Sequence, residues 1–264
     1  MKPGSLATSL VKALRVLLCL EDSPEGRGVT DIARSLGLPK SAVHRLLVTF
    51  QALGFAQQQP NSRYILGPAL ARLGLRAADM FTPRRVARPY LEALAQDIGE
   101  TVFLGMLAQD QVLVVDKVEH GQVLRVSPAL GTVLPLHRTA LGKLLLAFRP
   151  APQREQYLQT LVDPGSATAP ELRLYALRQE LAAIAHQGVA VSLEEWAPDI
   201  CCLAAPIRHR QGEVIAALAL ALPRSRMPQP QRHDPFTGGE AAMQYPTLLP
   251  ALLTAAERIS AALP

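Results

Sequence analysis

Apolar residues recur at helical spacing at the start of the chain and predict an amphipathic helix over residues 6–20. After a polar break that contains Pro and Gly, a second helix is expected, with Thr30 as its N-cap. Gly37 and Pro39 then predict a helix end, a tight turn and a new start at Lys40–Ser41. Two short helices around a tight turn form the helix-turn-helix pattern.

The helix that starts at Lys40 has two different faces. At about 100° per residue, one side of the helix gathers the apolar residues Val43, Leu46, Leu47, Phe50 and Leu53. Ser41, His44 and Arg45 gather on the other, with Thr49 on the flank. Arg pairs well with guanine, and Ser and His reach phosphates or base edges. The polar face is a candidate DNA-reading surface, but a solvated face of an ordinary amphipathic helix has the same pattern.

A hairpin and a helix complete this first segment. Two short β-prone runs flank a Pro-Asn-Ser turn at 60–62 and predict a β-hairpin, the wing. Arg63 at its tip can approach a phosphate or a narrow minor groove. A Leu- and Ala-rich helix follows, whose stripe of Leu70 and Leu73 either pairs with its twin in a dimer or packs in the core. We expect a winged helix-turn-helix domain over 1–67 and a linker helix over 68–80.

Residues 81–264 alternate between helical and strand patterns. Helices bracketing one mostly antiparallel sheet place the chain in the α+β class. The residues 223–246 are rich in Pro, Gln and Gly, which predicts a loop. Strands are expected at 101–107, 111–118, 122–127, 189–192, 200–208 and 214–222, and helices at 83–98, 141–148, 150–161, 174–187 and 248–263.

The distribution of charge suggests that the two segments bind different partners. The formal net charge of the whole chain is +5. Residues 1–78 carry a net charge of +6, and residues 79–264 carry −1. A basic segment joined to a neutral one suggests a module for a polyanion attached to a module for something else.

Several classes of protein are disfavoured by composition. The three cysteines, two of them adjacent, make no disulfide framework, and no CxxC or HxxxH spacing suggests a metal site. No phosphate loop or nucleophile elbow appears. The apolar run Val214–Leu222 is far shorter than the roughly 20 residues of a membrane helix, and the N-terminus has no signal-peptide pattern. We expect a cytoplasmic protein with no metal, cofactor or membrane partner.

An ordered series of motifs runs along nearly the whole chain. They are VTDIA at 29–33, LGLPKS at 36–41, VHRLL at 43–47, RYILG at 63–67, ARP at 87–89, GETV at 99–102, VDKV at 115–118, PLHRTALGK at 135–143, Gly188, Glu194-Glu195 and CLAAPI at 202–207. In this series the sequence strongly resembles the IclR family of bacterial transcriptional regulators. The resemblance implies a winged-helix head, a GAF-like effector-binding and oligomerisation domain over 81–264, and dimers or dimers of dimers on palindromic DNA operators.

The chemistry of the polar helix face indicates which residues touch DNA, and the resemblance implies which residues touch the effector. Lys40, Ser41 and Thr49 would fix register on phosphates, His44 and Arg45 would read bases, and the wing would add its arginine. The small-molecule effector would lie against Val126, Ala140, Leu141, Ser192, Cys202, Ala204, Ala219 and Ala221.

Departures from the family pattern bear on the effector. Ser192 stands where the family usually has Asp, and Ala219 and Ala221 stand where serines are common. Leaving the groups of a small hydrophilic acid unpaired costs about 1–3 kcal/mol each. We therefore expect an effector less polar than glyoxylate-type acids, larger or aromatic, whose carboxylate Arg125 or Arg138 could hold.

Three alternatives remain at the level of sequence. Cys201 or Cys202 with His137 or His209 could form a thiol-dependent enzyme, although neighbouring strand residues point to opposite faces and apolar strand cysteines usually line a core. The pair Glu194-Glu195 could be a general base or a solvated pair. The chain could also be a metal sensor, or a protein-interaction or ligand-binding module without DNA binding.

Overall fold

The computed structural model describes residues 7–21, 23–122, 125–161, 170–227, 245 and 247–264. The chain divides into two compact units, Met1–Met80 and Phe81–Pro264. Each unit has its own hydrophobic core among the described residues.

The first unit is a helix-turn-helix followed by a hairpin, as the sequence predicts. Its core joins three helices and the hairpin through Val16, Ile32, Val43, Leu47 and Tyr64, all nearly inaccessible to solvent. The elements are α1 (Thr8–Glu21), α2 (Val29–Leu36), α3 (Lys40–Ala52), β1 (Ala56–Gln58), β2 (Tyr64–Leu66) and α4 (Pro68–Met80).

The turn between α2 and α3 depends on one glycine. Gly37 has φ +63°, and its amide donates to the carbonyls of Ala33 and Arg34, which closes α2. The prediction that Thr30 caps α2 is wrong. Gly28 is the N-cap, without any side-chain cap, and Thr30 lies inside the first turn because the helix begins at Val29.

The hairpin is extended by a third short segment. β1 and β2 pair antiparallel from Ala56↔Leu66 to Gln58↔Tyr64. Arg27 and Tyr64 exchange two backbone hydrogen bonds of 2.9 Å, so the connection between α1 and α2 joins the edge of β2. This pairing fixes the hairpin to the helical part of the unit.

The second unit is built on a six-stranded antiparallel sheet of order β5-β4-β3-β8-β7-β6, which confirms the α+β class. The strands are β3 (Thr101–Ala108), β4 (Gln111–Val118), β5 (Val133–Pro135), β6 (Ala190–Leu193), β7 (Ile200–Arg208) and β8 (Val214–Pro223). The helices are α5 (Thr82–Ile98), α6 (Ala140–Ala147), α7 (Ala151–Thr160), α8 (Pro170–Gln187) and α9 (Leu248–Ala262), with a short 3-10 helix at Arg224–Arg226.

Both faces of the sheet are covered. Ala216, Leu218 and Leu220 of β8 belong to a core shared with α5 and α9. Ala217 and Ala219, on the opposite face of the strand, belong to a core shared with α6, α7 and α8. Burial on both sides explains why β8 is an almost continuous run of apolar residues.

The strand expected at 122–127 is wrong. Residues 122 and 125–127 lie outside any strand, and 123–124 fall outside the described residues. The side chains of Arg125 and Ser127 bond Glu119 instead, and β5 takes the place beside β4. Of the loop expected at 223–246, residue 223 ends β8 and 224–226 form the 3-10 helix, whereas 228–244 and 246 lie outside the described residues.

No helix in the described part of the chain is long and apolar enough to cross a membrane.

Candidate nucleic-acid interface and ligand cavity

The α3 helix buries one side in the core and exposes the other, on which Val48 lies among the polar residues. Val43 and Leu47 are 0% exposed, so this side anchors the helix in the core. The five predicted DNA-contacting residues of the helix are all exposed on the other side: Lys40, Ser41, His44, Arg45 and Thr49. The hydroxyl of Thr49 donates to the carbonyl of Arg45 at 2.9 Å.

Arg63 is exposed at the hairpin, directly after Ser62, whose φ is +62°. Its Nη1 donates to the carbonyl oxygen of Gly26 at 3.3 Å, so the guanidinium bends back toward the α1–α2 connection. Arg27 and Arg34 border the same surface cleft as Arg63. Sequence patterns did not single out Arg27 and Arg34, because only the bridge between residues 27 and 64 brings the cleft together.

The second unit contains a cavity of about 630 Å³. Five of the eight residues expected at the effector line it, namely Val126, Ala140, Leu141, Ser192 and Cys202. The remaining lining residues are Phe103, Arg125, Ser127, Pro128, Thr132, Leu134, Thr139, Trp196, Asp199, Ile200, Pro223, Arg224 and Ser225.

Ala204, Ala219 and Ala221, the other three residues expected at the effector, do not line the cavity. All three are 0% exposed and belong to the core that the sheet shares with α6. The small alanines allow α6 to lie close to the sheet there, so this part of the surface is core rather than cavity. The family resemblance grouped these residues with the cavity residues, but it did not indicate which part of the sheet α6 covers.

One cross-strand row of side chains runs under the cavity. Ser192 pairs with Cys202, Cys202 with Ala221, and Ala221 with Thr101. Directly opposite residues share a face, so the row presents a hydroxyl, a thiol, a methyl group and a second hydroxyl on one side of the sheet. Ser192 and Cys202 reach the cavity.

The first turn of α6 forms another wall. Thr139 is its N-cap, since the hydroxyl accepts from the amide of Gly142 at 3.0 Å and donates to the carbonyl of Pro135 at 2.9 Å. A Cβ on Gly142 would meet the backbone of Leu136 and Pro135 at 2.5 Å, so only glycine fits there. The N-terminal end of α6, where negative charge is favoured, borders the cavity through Ala140 and Leu141.

Charged side chains lie at two places on the cavity wall. Arg125 donates through Nε to Glu119 at 2.6 Å, and Lys117 donates to the same carboxylate at 2.7 Å. Hydrogen bonds from Lys117, Ser127 and Arg125 lower the pKa of Glu119 to about 2. On another part of the wall, Nε of Arg224 lies 3.6 Å from the Glu194 carboxylate.

Trp196, the single tryptophan of the chain, lines the cavity and is 45% exposed. The guanidinium carbon of Arg138 lies 5.9 Å from the centre of its ring, within range of a cation–π contact. Nε of Arg138 also donates to the carbonyl of Glu195 at 3.0 Å. Arg125 therefore borders the cavity, whereas Arg138 supports the loop that carries Trp196.

The cysteines lie in surroundings that disfavour nucleophilic chemistry. Burial raises the pKa of Cys202 to about 12, and burial also raises the pKa of Cys201, so both are neutral thiols at pH 7. His137 bonds the hydroxyl of Tyr157 at 2.8 Å, and burial lowers the pKa of its imidazole. No group of three His, Cys, Asp or Glu residues that could hold a metal occurs in the described ranges.

Comparison with known families matches both units. The IclR helix-turn-helix domain matches residues 9–60, and the C-terminal domain of the bacterial transcriptional regulator IclR matches residues 76–239. The chain is 32% identical over 224 residues to the HTH-type transcriptional regulator XynR of Escherichia coli K12, covering 83% of this chain and 87% of that one. It is 34% identical over 220 residues to the glycerol operon regulatory protein of Streptomyces griseus, covering 83% and 86%.

Solved structures resemble the chain over almost its full length. An IclR homologue from Microbacterium hydrocarbonoxydans, complexed with 4-hydroxybenzoate, is 28% identical with a TM-score of 0.75, covering 97% of this chain and 98% of that one. The IclR protein of Thermotoga maritima is 27% identical with a TM-score of 0.67, covering 97% and 98%.

Proposed function

The chain belongs to the IclR family of bacterial transcriptional regulators, and we propose that it binds a palindromic operator as a homodimer or dimer of dimers under the control of a small effector. One observation carries the DNA-binding part of the proposal. In a unit matched to the IclR helix-turn-helix domain, α3 exposes Ser41, His44 and Arg45 while Val43 and Leu47 fix the opposite side in the core.

Each exposed residue has a role set by its chemistry. Arg45 and His44 would read base edges in the major groove, because a guanidinium bonds O6 and N7 of guanine together. Lys40, Ser41 and Thr49 would contact phosphates and fix the register of α3. Arg63, held to the Gly26 carbonyl, would contact the backbone beside the groove together with its neighbours Arg27 and Arg34.

A dimer is supported by unburied leucines in the first unit. Leu10, Leu14 and Leu18 of α1 follow one another at i, i+4 and i+8 and are each at least half exposed. Leu73 of α4 is also exposed. A stripe of this kind is typical of a helix that packs against a second copy. In such a dimer, two α3 helices about 34 Å apart would fit successive major grooves.

The cavity would hold the effector. Its walls are mostly apolar, with Phe103, Val126 and Trp196 beside a few hydroxyls and Arg125. These features favour a ligand that is larger and less polar than glyoxylate-type acids and that carries a carboxylate for Arg125. 4-Hydroxybenzoate, the compound in the Microbacterium homologue, has both an aromatic ring and a carboxylate.

We further propose that the protein is a cytoplasmic regulator rather than an enzyme. The DNA on which it would act is cytoplasmic. The neutral thiols of Cys201 and Cys202 and the engagement of His137 by Tyr157 oppose thiol chemistry.

The deciding experiment is capture of genomic fragments with the purified protein, followed by gel shifts on the enriched promoters. We expect a palindromic consensus, and we expect Arg45→Ala to lose it. Enrichment without any shared sequence would overturn sequence-specific binding. For the effector, titration of Trp196 fluorescence with 4-hydroxybenzoate and with glyoxylate tests the preference directly. A response to glyoxylate alone would overturn the less polar ligand.

A further inference from the structure

Lys143 is an anomaly in the middle of α6. Every residue of this helix is buried, and all the others are Ala, Leu or Gly. The side chain of Lys143 is only 1% exposed. A buried ammonium is costly unless it is paired and hydrogen-bonded.

The Lys143 ammonium is paired with two carboxylates from different elements. Its Nζ lies 2.5 Å from Oε1 of Glu180 on α8 and 2.6 Å from Oε1 of Glu195, which follows β6. The side chains of Glu180 and Glu195 are only 25% and 38% exposed. One cation thus joins three parts of the second unit, namely α6, α8 and the β6–β7 loop.

The β6–β7 loop, residues 194–199, is a wall of the cavity through Trp196 and Asp199. Glu194 and Asp199 at its two ends have φ of +59° and +61°, in the left-handed region that non-glycine residues rarely adopt. A loop with this backbone persists only if its surroundings hold it. The two ends are held by bonds of their own, from the Asp199 amide to the Glu194 carboxylate at 3.1 Å and from the Arg224 amide to the Asp199 carbonyl at 2.8 Å. The middle of the loop is held at residue 195, by Lys143 at the carboxylate and by Arg138 at the carbonyl.

We propose that Lys143 is a positioning residue of the ligand cavity, which ties the loop 194–199 to α8 so that movement of either element changes the hold on the other. This inference rests on the proposed function, in which the cavity holds the effector. It concerns the free protein, so its test needs neither ligand nor DNA.

The coupling follows from sharing one cation between two anions. If the loop withdraws Glu195, the ammonium loses one partner and depends on Glu180 alone. If α8 withdraws Glu180, the ammonium is free to follow Glu195 and the loop loses its anchor to α8. A ligand that displaces Trp196 would bias this arrangement, since a ligand shifts a protein toward the state that it binds better.

Neutral variants test the idea without removing the lysine. Glu180→Gln lies on α8, away from the loop, and Glu195→Gln lies within it. We measure acrylamide quenching of Trp196 and amide hydrogen exchange of residues 194–199 and of α8. Coupling predicts that Glu180→Gln raises quenching of Trp196 and speeds exchange of the loop by about twofold or more. It also predicts that Glu195→Gln speeds exchange in α8.

Glu155→Gln is the matched control. Glu155 lies on α7 and its exposed carboxylate pairs at 2.8 Å with Arg178 of α8, the helix that also carries Glu180. This variant should leave Trp196 unchanged. If Glu180→Gln affects α8 alone and Trp196 behaves as in the parent protein, the coupling is disproved. Lys143→Met, if it folds, should give the larger effect at both places, and an unchanged loop in that variant would equally overturn the proposal.

Discussion

Thr101 and Ala221 lie directly opposite each other on β3 and β8, and the buried hydroxyl of Thr101 has no hydrogen-bond partner among the described residues. Thr139, also buried, uses its hydroxyl twice, as acceptor from Gly142 and as donor to Pro135. Two buried threonines of the same unit thus differ in whether their polarity is compensated.

Replacing each threonine by valine, which has nearly the same shape, should have opposite effects. Thr101→Val removes an uncompensated buried hydroxyl and should raise the free energy of unfolding by about 1 kcal/mol. Thr139→Val removes the cap of α6 and should lower it by about 1–2 kcal/mol. Denaturant unfolding of the two variants measures both values. A loss of stability in Thr101→Val would mean that its hydroxyl has a partner in solution.

The exposed guanidinium of α3 should matter for sequence recognition. Arg45→Ala should cost about 1–3 kcal/mol of binding to the operator and relax the preference at one base pair, as expected for a bidentate contact to guanine. Arg210→Ala removes the same charge from an exposed turn of the second unit and is the control. Titrations by fluorescence anisotropy on matched and mutated operators distinguish the cases. Equal weakening on all sequences would place Arg45 on phosphate instead.

The cavity thiol should be inert when the protein is folded. Because burial raises the pKa of Cys202 from its ordinary value of 9.0 to about 12, iodoacetamide at pH 8 should leave it unmodified until the protein is unfolded. The folded protein binds the thiol proton of Cys202 more tightly than the unfolded chain does. The contribution of the neutral thiol to stability is therefore complete below pH 9 and is lost as pH rises toward 12. Peptide mapping by mass spectrometry reads the modification. Rapid alkylation of folded Cys202 would revive the thiol-enzyme alternative.

The contribution of Glu119 to stability should depend on pH in the sense opposite to that of Cys202. Its pKa is lowered from 4.5 to about 2, so its stabilising contacts are complete above pH 4.5 and are lost as pH falls toward 2. Carboxyl NMR should show this midpoint. Ser127→Ala should move the midpoint upward, because the Ser127 hydroxyl is one of the groups that favour the ionised form. A midpoint near 4.5 in the parent protein would mean that the cluster with Lys117 and Arg125 does not persist in solution.

Regular patterns in the sequence were sufficient for most of the fold. The apolar stripe of α3 and the turn at Gly37 depend on local spacing, and both are present in the structure. The segment 122–127 has strand-like composition, but side-chain bonds to Glu119 override it. The N-cap of α2 also differs from the predicted Thr30, because Gly28 supplies the extended backbone one residue before the helix starts.

The cavity could be predicted only in part. The resemblance to the IclR family named Cys202, Ala204, Ala219 and Ala221 together, and the structure places all four in or against the core on one face of the sheet. Which of them meet open space depends on where α6 lies, and this is a tertiary property that no local pattern contains. Trp196 and Arg224 were missed for the same reason, since they reach the cavity from loops at the end of the sheet.

The burial of α6 has an evolutionary consequence. The first turn of this helix borders the cavity while its whole length fills the core, so a substitution there changes folding and recognition together. The segments 125–132 and 194–199 border the same cavity from loops. Relatives that acquire new effectors should therefore vary in these loops first. Selections for an altered effector response should recover loop substitutions as changes of specificity and α6 substitutions as loss of folded protein.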